Sequence, residues 1–187
     1  HLGFSEEELS YYTDEKYAHE IGNIQKTVDS YAKKYDTKIP IAVAGGIDTP
    51  QKVKHVLNLG VQAVQVGTRF VTTEECDADI RYKQAYIKAC KEDIVIVKSP
   101  VGMPGRAIKN TMLESVQRGE NIPPRKCYHC LAKCDPGKIP YCITKALIEA
   151  AKGNTEEGLL FCGANAYRAE KIETVKEVIA NLMQECV

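Results

Sequence analysis

The sequence predicts an α/β protein with parallel strands, on three observations. Two short apolar runs, Lys38 to Ala44 and Val61 to Val66, show no alternation of polar and apolar residues, which is how a strand covered on both faces reads. Between them lies a stretch with the three-and-four spacing of an amphipathic helix, and a helix joining two strands makes them parallel. Each run stops at glycine, Gly45-Gly46 in the first and Gly67 in the second.

The elements follow in order. Tyr17, Ile21, Ile24, Val28, Tyr31 and Tyr35 form one apolar stripe on a first helix, which Thr13 caps and which is expected to pack on a core. After the first strand, Thr49-Pro50 supplies an N-cap and a proline at the first helical position. Val53, Val56 and Leu57 give that helix its apolar side, and Gly60 ends it. The second strand stops at Gly67-Thr68, and Glu74 to Cys90 reads as one further helix. Asp93 to Lys98 is β-branched and strand-like, whereas Ser99 to Arg106 is rich enough in Pro and Gly to predict a loop. A Cys-rich and Pro-rich stretch, Pro123 to Tyr141, leads into two last helices, about Ile143 to Lys152 and Ile172 to Cys186.

Composition excludes several classes of function. With 187 residues, 44% hydrophobic and 27% charged, the chain is neither disordered nor collagen-like. Lys plus Arg and Asp plus Glu balance at 25 each without a basic block, so no nucleic-acid or membrane-surface partner is expected. No apolar run nears the roughly 20 residues of a membrane span, and the N-terminus lacks a signal-peptide pattern. The expected location is cytoplasmic.

The glycines that end the strands carry the first chemical reading. Glycine leaves backbone N–H groups uncovered, and the helix starting near Thr49 aims its partial positive end at the same place. Gly45, Gly46 and Gly67, with the hydroxyl of Thr68, therefore predict a phosphate cradle. In a (β/α)8 barrel such a cradle is made by the loops after the seventh and eighth strands. Arg69 is readable either as a phosphate ligand or as a solvated residue at the strand mouth.

The run from Ile41 to Glu75 resembles the FMN-phosphate segment of the nitronate monooxygenase (2-nitropropane dioxygenase) family, which also includes flavin-type enoyl-thioester reductases. The resemblance extends to Gly102–Asn110, similar to the family's Arg-centred loop, and to Phe161-Cys162-Gly163, similar to its C-terminal return to the flavin. It implies the C-terminal part of a (β/α)8 TIM barrel, with FMN held by Gly45, Gly46, Gln65, Val66, Gly67 and Thr68. Residues 1–92 are then the last barrel βα units with the FMN-phosphate site. Residues 93–187 are the Arg-centred loop, the Cys-rich segment and C-terminal helices packing on the barrel.

His1-Leu2-Gly3 matches the family's Gly-Gly-His-x-Gly motif from its histidine onward. The match implies that His1 is the catalytic residue and that the chain is a portion of a longer protein, lacking about five and a half βα units of a barrel of about 250 residues. Such a sheet has an open edge that must be covered, which leaves a homo-oligomer open. The activity implied is oxidation of a small-molecule nitronate by O2 to a carbonyl compound and nitrite, the fragment alone being inactive. An NAD(P)H-dependent enoyl or quinone reductase is the alternative, and a non-catalytic phosphate-binding module a third. His19 and His55, in surface helices, have weaker claims than His1.

The chain holds eight cysteines. Cys127, Cys130, Cys134 and Cys142 fall within sixteen residues, with His129 among them. Thiolates so spaced suit zinc or an iron–sulfur cluster, while reduced, half-buried thiols docking an extension are the alternative reading.

Overall fold

A computed structural model describes residues 13–124, 126–132 and 134–186, and the chain divides into two compact units. His1 lies outside the described residues.

One unit includes the described residues 13–66 and 176–186. Helix α1, Asp14–Lys34, begins where predicted: the Thr13 hydroxyl accepts the Lys16 N–H at 3.3 Å, acidic Asp14 and Glu15 occupy the first turn, and Lys33 and Lys34 the last. Of its expected apolar stripe only Ile21 is buried. Ile24, Tyr31 and Tyr35 are at least half exposed, and the two tyrosine rings stack on each other at 6.2 Å. That expectation is corrected, because nothing among the described residues covers this face.

Strand β1, Ala42–Ala44, leads through α2, Pro50–Asn58, to β2, Ala63–Gln65. Thr49 caps α2 through the Lys52 N–H at 3.3 Å, and Gly60, at φ +90°, closes it with an N–H to the Leu57 carbonyl at 2.9 Å. The strands pair in parallel with Ala42 opposite Ala63 and Ala44 opposite Gln65, as the intervening helix requires. They are shorter than predicted and not covered on both faces. Ala42, Ala44, Ala63 and Gln65 are exposed and only Val43 and Val64 half-buried, since two strands alone bury one side. The described residues form two two-stranded sheets and no closed barrel.

The other unit spans Gly67–Val175. It opens with a single turn, α3 (Thr68–Val71), and α4 (Ile80–Lys88) follows. The helix predicted from Glu74 to Cys90 is thus confined to its second half. Asp79 caps α4 by accepting the Arg81 N–H at 2.8 Å. Ahead of it, buried Lys83 donates to the carbonyls of Thr73 at 2.7 Å and Glu74 at 3.2 Å, oxygens that a helix would need for itself.

Strand β3, Ile94–Lys98, pairs antiparallel with β4, Pro104–Ile108. This corrects the predicted loop, of which only residues 99–103 remain as a connection. Pro104 is tolerated as the first strand residue. Gly105 is tolerated because the Phe161 ring occupies the space of its missing side chain. The segment around Phe161 lies along β4: the Ile108 N–H reaches the Leu160 carbonyl at 3.0 Å, and the Cys162 N–H reaches that of Arg106 at 2.9 Å. Asn110 caps α5, Thr111–Gln117, and α6 spans Ile143–Ala151. Buried Leu113, Tyr141 and Leu159 form one core cluster, and Tyr86, Leu160 and Cys162 another. This unit ends at Val175, whose N–H the Glu75 carboxylate accepts; the last helix, α7 (Val175–Met183), belongs from Lys176 onward to the unit that holds α1. No helix among the described residues is long and apolar enough to cross a membrane.

Candidate functional site

The register of β1 and β2 sets Ala44 opposite Gln65, so Gly45-Gly46 and Val66 leave their strands at the same end of the sheet. Gly45 and Gly46 hold φ of +105° and +68°, values that side-chain-bearing residues rarely adopt, and both are exposed. Lys52 fixes this turn by donating to the Gly46 carbonyl at 2.9 Å and to the Asp48 carboxylate at 2.6 Å.

Gly67 differs in kind. Its φ of −113° suits any residue, and a Cβ placed on it would meet no atom within 4 Å. Neither conformation nor packing asks for glycine here, so its bare, exposed backbone is suited to a ligand that approaches closely.

Thr68 follows as the first residue of α3. Its hydroxyl oxygen accepts the Gly163 N–H at 2.9 Å, tying the end of the glycine turn to the segment after β4. The hydroxyl proton is left to donate. Arg69 is not solvated: it pairs with Glu173 at 3.0 Å, both side chains are at least four-fifths buried, and its Nε has no hydrogen-bond partner among the described residues. No local spacing announces this pair, because the partners come from distant parts of the sequence.

Arg106 is buried within β4 instead of standing in a loop. Near it the Cys162 thiol is pushed up to about 12 by burial, against the opposing pull of the Arg106 charge. Tyr86 donates to the Phe161 carbonyl at 2.5 Å and shares a hydroxyl contact with Tyr82 at 3.2 Å. Burial is the main cause that raises both tyrosines above the usual phenol range. His19 and His55 lie exposed on α1 and α2, as predicted.

Cys127, Cys130, Cys134 and Cys142 line one cleft of about 380 Å³, together with His129. Their thiols are free, as are those of the other four cysteines. Among the described residues no group of three or more His, Cys, Asp or Glu side chains is gathered to hold a metal ion. Burial, then the charges of the other three cysteines, raise the Cys134 thiol above its ordinary value.

Parallel strands joined by a helix and ending in bare glycine turns define an α/β protein of the class that receives ligands at the carboxyl ends of its strands. The chain belongs to the nitronate monooxygenase family, whose profile matches residues 10–185. It is 37% identical over 87 residues to a probable nitronate monooxygenase of Staphylococcus haemolyticus, covering 46% of this chain and 24% of that protein. A probable nitronate monooxygenase of Bacillus subtilis is 26% identical over 149 residues, covering 79% of this chain and 40% of that one. FabK from Thermotoga maritima superposes with a TM-score of 0.61 at 26% identity, over 80% of this chain and 44% of that chain. A nitroalkane oxidase from Streptomyces ansochromogenes shares the fold, with a TM-score of 0.56 at 22% identity over 82% of this chain and 42% of that one. The chain thus spans less than half the length of each of these proteins.

Proposed function

We propose that this chain supplies the C-terminal βα units of an FMN-dependent TIM-barrel enzyme that oxidises alkyl nitronates with O2 to a carbonyl compound and nitrite. Family membership supports the class of reaction, and the observation that carries the cofactor reading is Gly67, whose missing side chain neither its φ nor its packing against the described residues explains.

The residues present fit the phosphate of FMN. Gly67, Gly45 and Gly46 present uncovered backbone, Thr68 retains a hydroxyl proton to donate, and Gln65 and Val66 bring the chain out of β2 into the turn. Backbone N–H groups at such turns stabilise a phosphate by direct donation and by partial positive charge. Bound flavin supplies the electron acceptance from the nitronate and the subsequent reaction with oxygen.

A nitronate is already deprotonated at carbon, so it asks of the protein only position and hydrogen bonds to its nitro oxygens. A neutral nitroalkane needs a base beside the carbon, and His1 is assigned to take that proton, imidazole being suited to the task near neutral pH. In this reading residues 1–92 carry the FMN-phosphate site, residues 93–187 pack on the barrel, and the remaining strands are covered by the rest of the molecule or by a second copy. The enzyme is placed in the cytoplasm.

The test is nitrite release from an alkyl nitronate in air by the intact protein. Nitrite formed without NAD(P)H supports the proposal. A protein that instead oxidises NAD(P)H with an enoyl thioester or quinone, and releases no nitrite, belongs to the reductase branch.

A further inference from the structure

The Cys-rich segment is separate in sequence from the residues assigned to FMN, and it is built as a site of its own. We infer that Cys127, Cys130, Cys134 and Cys142 ligate an iron–sulfur cluster of the [4Fe–4S] type.

Three observations carry this. First, the four cysteines line a single cleft of about 380 Å³ whose walls include apolar Tyr128, Leu131 and Ile139. The segment is clasped where it ends, the Ile122 N–H donating to the Pro140 carbonyl at 2.8 Å beside buried Tyr141, and Cys142 stands at the N-cap of α6. Second, donors already point at the sulfurs. The His129 N–H reaches Cys127 Sγ at 3.4 Å, and the Thr144 hydroxyl reaches Cys130 Sγ at 2.9 Å. His129 holds φ +51°, an unfavourable conformation for a residue with a side chain, and it is this turn that brings the amide back onto the sulfur. Hydrogen bonds to the ligand sulfurs are a feature of iron–sulfur sites.

Third, among the described residues the lining of the cleft offers four thiols and no carboxylate, the ligand set of a [4Fe–4S] cluster. Soft thiolates disfavour magnesium and calcium.

The experiment uses the intact protein, isolated without oxygen and, in a parallel arm, reconstituted with ferrous iron and sulfide. About four iron and four acid-labile sulfide per chain are expected, with an electron paramagnetic resonance signal after dithionite reduction that flavin does not give. Cys130→Ser and Cys134→Ser are expected to lose most of the iron, whereas Cys90→Ser, outside the cleft, retains it. One zinc per chain in place of iron overturns the inference, as does the absence of iron from both arms. Metal content is read on the unsubstituted protein, so poor folding of a variant leaves the test intact, and FMN content is measured separately so that failure of the flavin reading is distinguishable.

Discussion

The hydroxyl oxygen of Thr68 accepts the backbone N–H of Gly163 at 2.9 Å, joining the glycine turn after β2 to the segment that runs along β4. A Cβ on Gly163 would stand 2.9 Å from the same oxygen, so the contact leaves no room for a larger residue. Thr68→Val strands a half-buried N–H and is expected to cost about 1–2 kcal/mol, while Thr68→Ser restores most of the loss. Denaturant midpoints of the two variants measure the difference.

Gly67 and Gly46 separate two reasons for being glycine. Gly67→Val meets no atom and no forbidden φ, so the fold loses no more than about 1 kcal/mol, from a poorer N-cap, yet FMN is no longer retained. Gly46→Ala forces a side chain into a positive φ and costs about 1–2 kcal/mol of stability by itself. Flavin stoichiometry and thermal melting on the same samples distinguish the two, and full FMN occupancy in Gly67→Val removes it from the phosphate site.

The ion pair between Arg69 and Glu173 is largely removed from solvent. Glu173→Gln leaves the guanidinium without its counter-charge and is expected to destabilise by roughly 1–3 kcal/mol, read from urea unfolding. Added salt is expected to change this loss little, since a buried pair is poorly screened.

Asp79 gives an acid limb. Hydrogen bonds from Arg81 hold its carboxyl at about 2, below the usual value of 3.8. A group whose pKa is lowered on folding contributes stability above its unfolded pKa and loses it as pH falls through the folded one. The difference in melting temperature between the unsubstituted protein and Asp79→Asn is therefore expected to shrink between about pH 4 and pH 2. A difference that stays constant over this range contradicts the assignment.

Cys162 gives the alkaline counterpart. Burial raises its thiol from 9.0 to about 12, so the folded state keeps the proton while the unfolded state releases it. Its contribution is complete below about pH 9 and declines as pH rises toward 12. Native alkylation at pH 8 is expected to leave Cys162 unlabelled until denaturant is added, as peptide mass mapping will show.

What was legible in the sequence was local. Thr13, Thr49-Pro50 and Gly60 announce helix ends through their own side chains or backbone freedom, and each stands where expected. Asp79 carried an equally readable cap signal, overridden by the apolar spacing from Glu74 onward. Asn110 with Met112, Leu113 and Val116 also marked α5, which the sequence reading passed over. The β3–β4 hairpin was hidden because Pro104 and Gly105 read as loop residues, and what permits them is Phe161, a partner remote in sequence. The same holds at the site. Glycine spacing pointed to Gly45, Gly46 and Gly67, but the engagement of Thr68 with Gly163 and of Arg69 with Glu173 arises only when distant segments meet.

The most direct test is an anaerobic titration of flavin absorbance in the intact protein, with an alkyl nitronate in one sample and NAD(P)H in another. Rapid bleaching by the nitronate, with no response to the nicotinamide, is the expected result. Bleaching by NAD(P)H alone would contradict the nitronate assignment while leaving the FMN site in place.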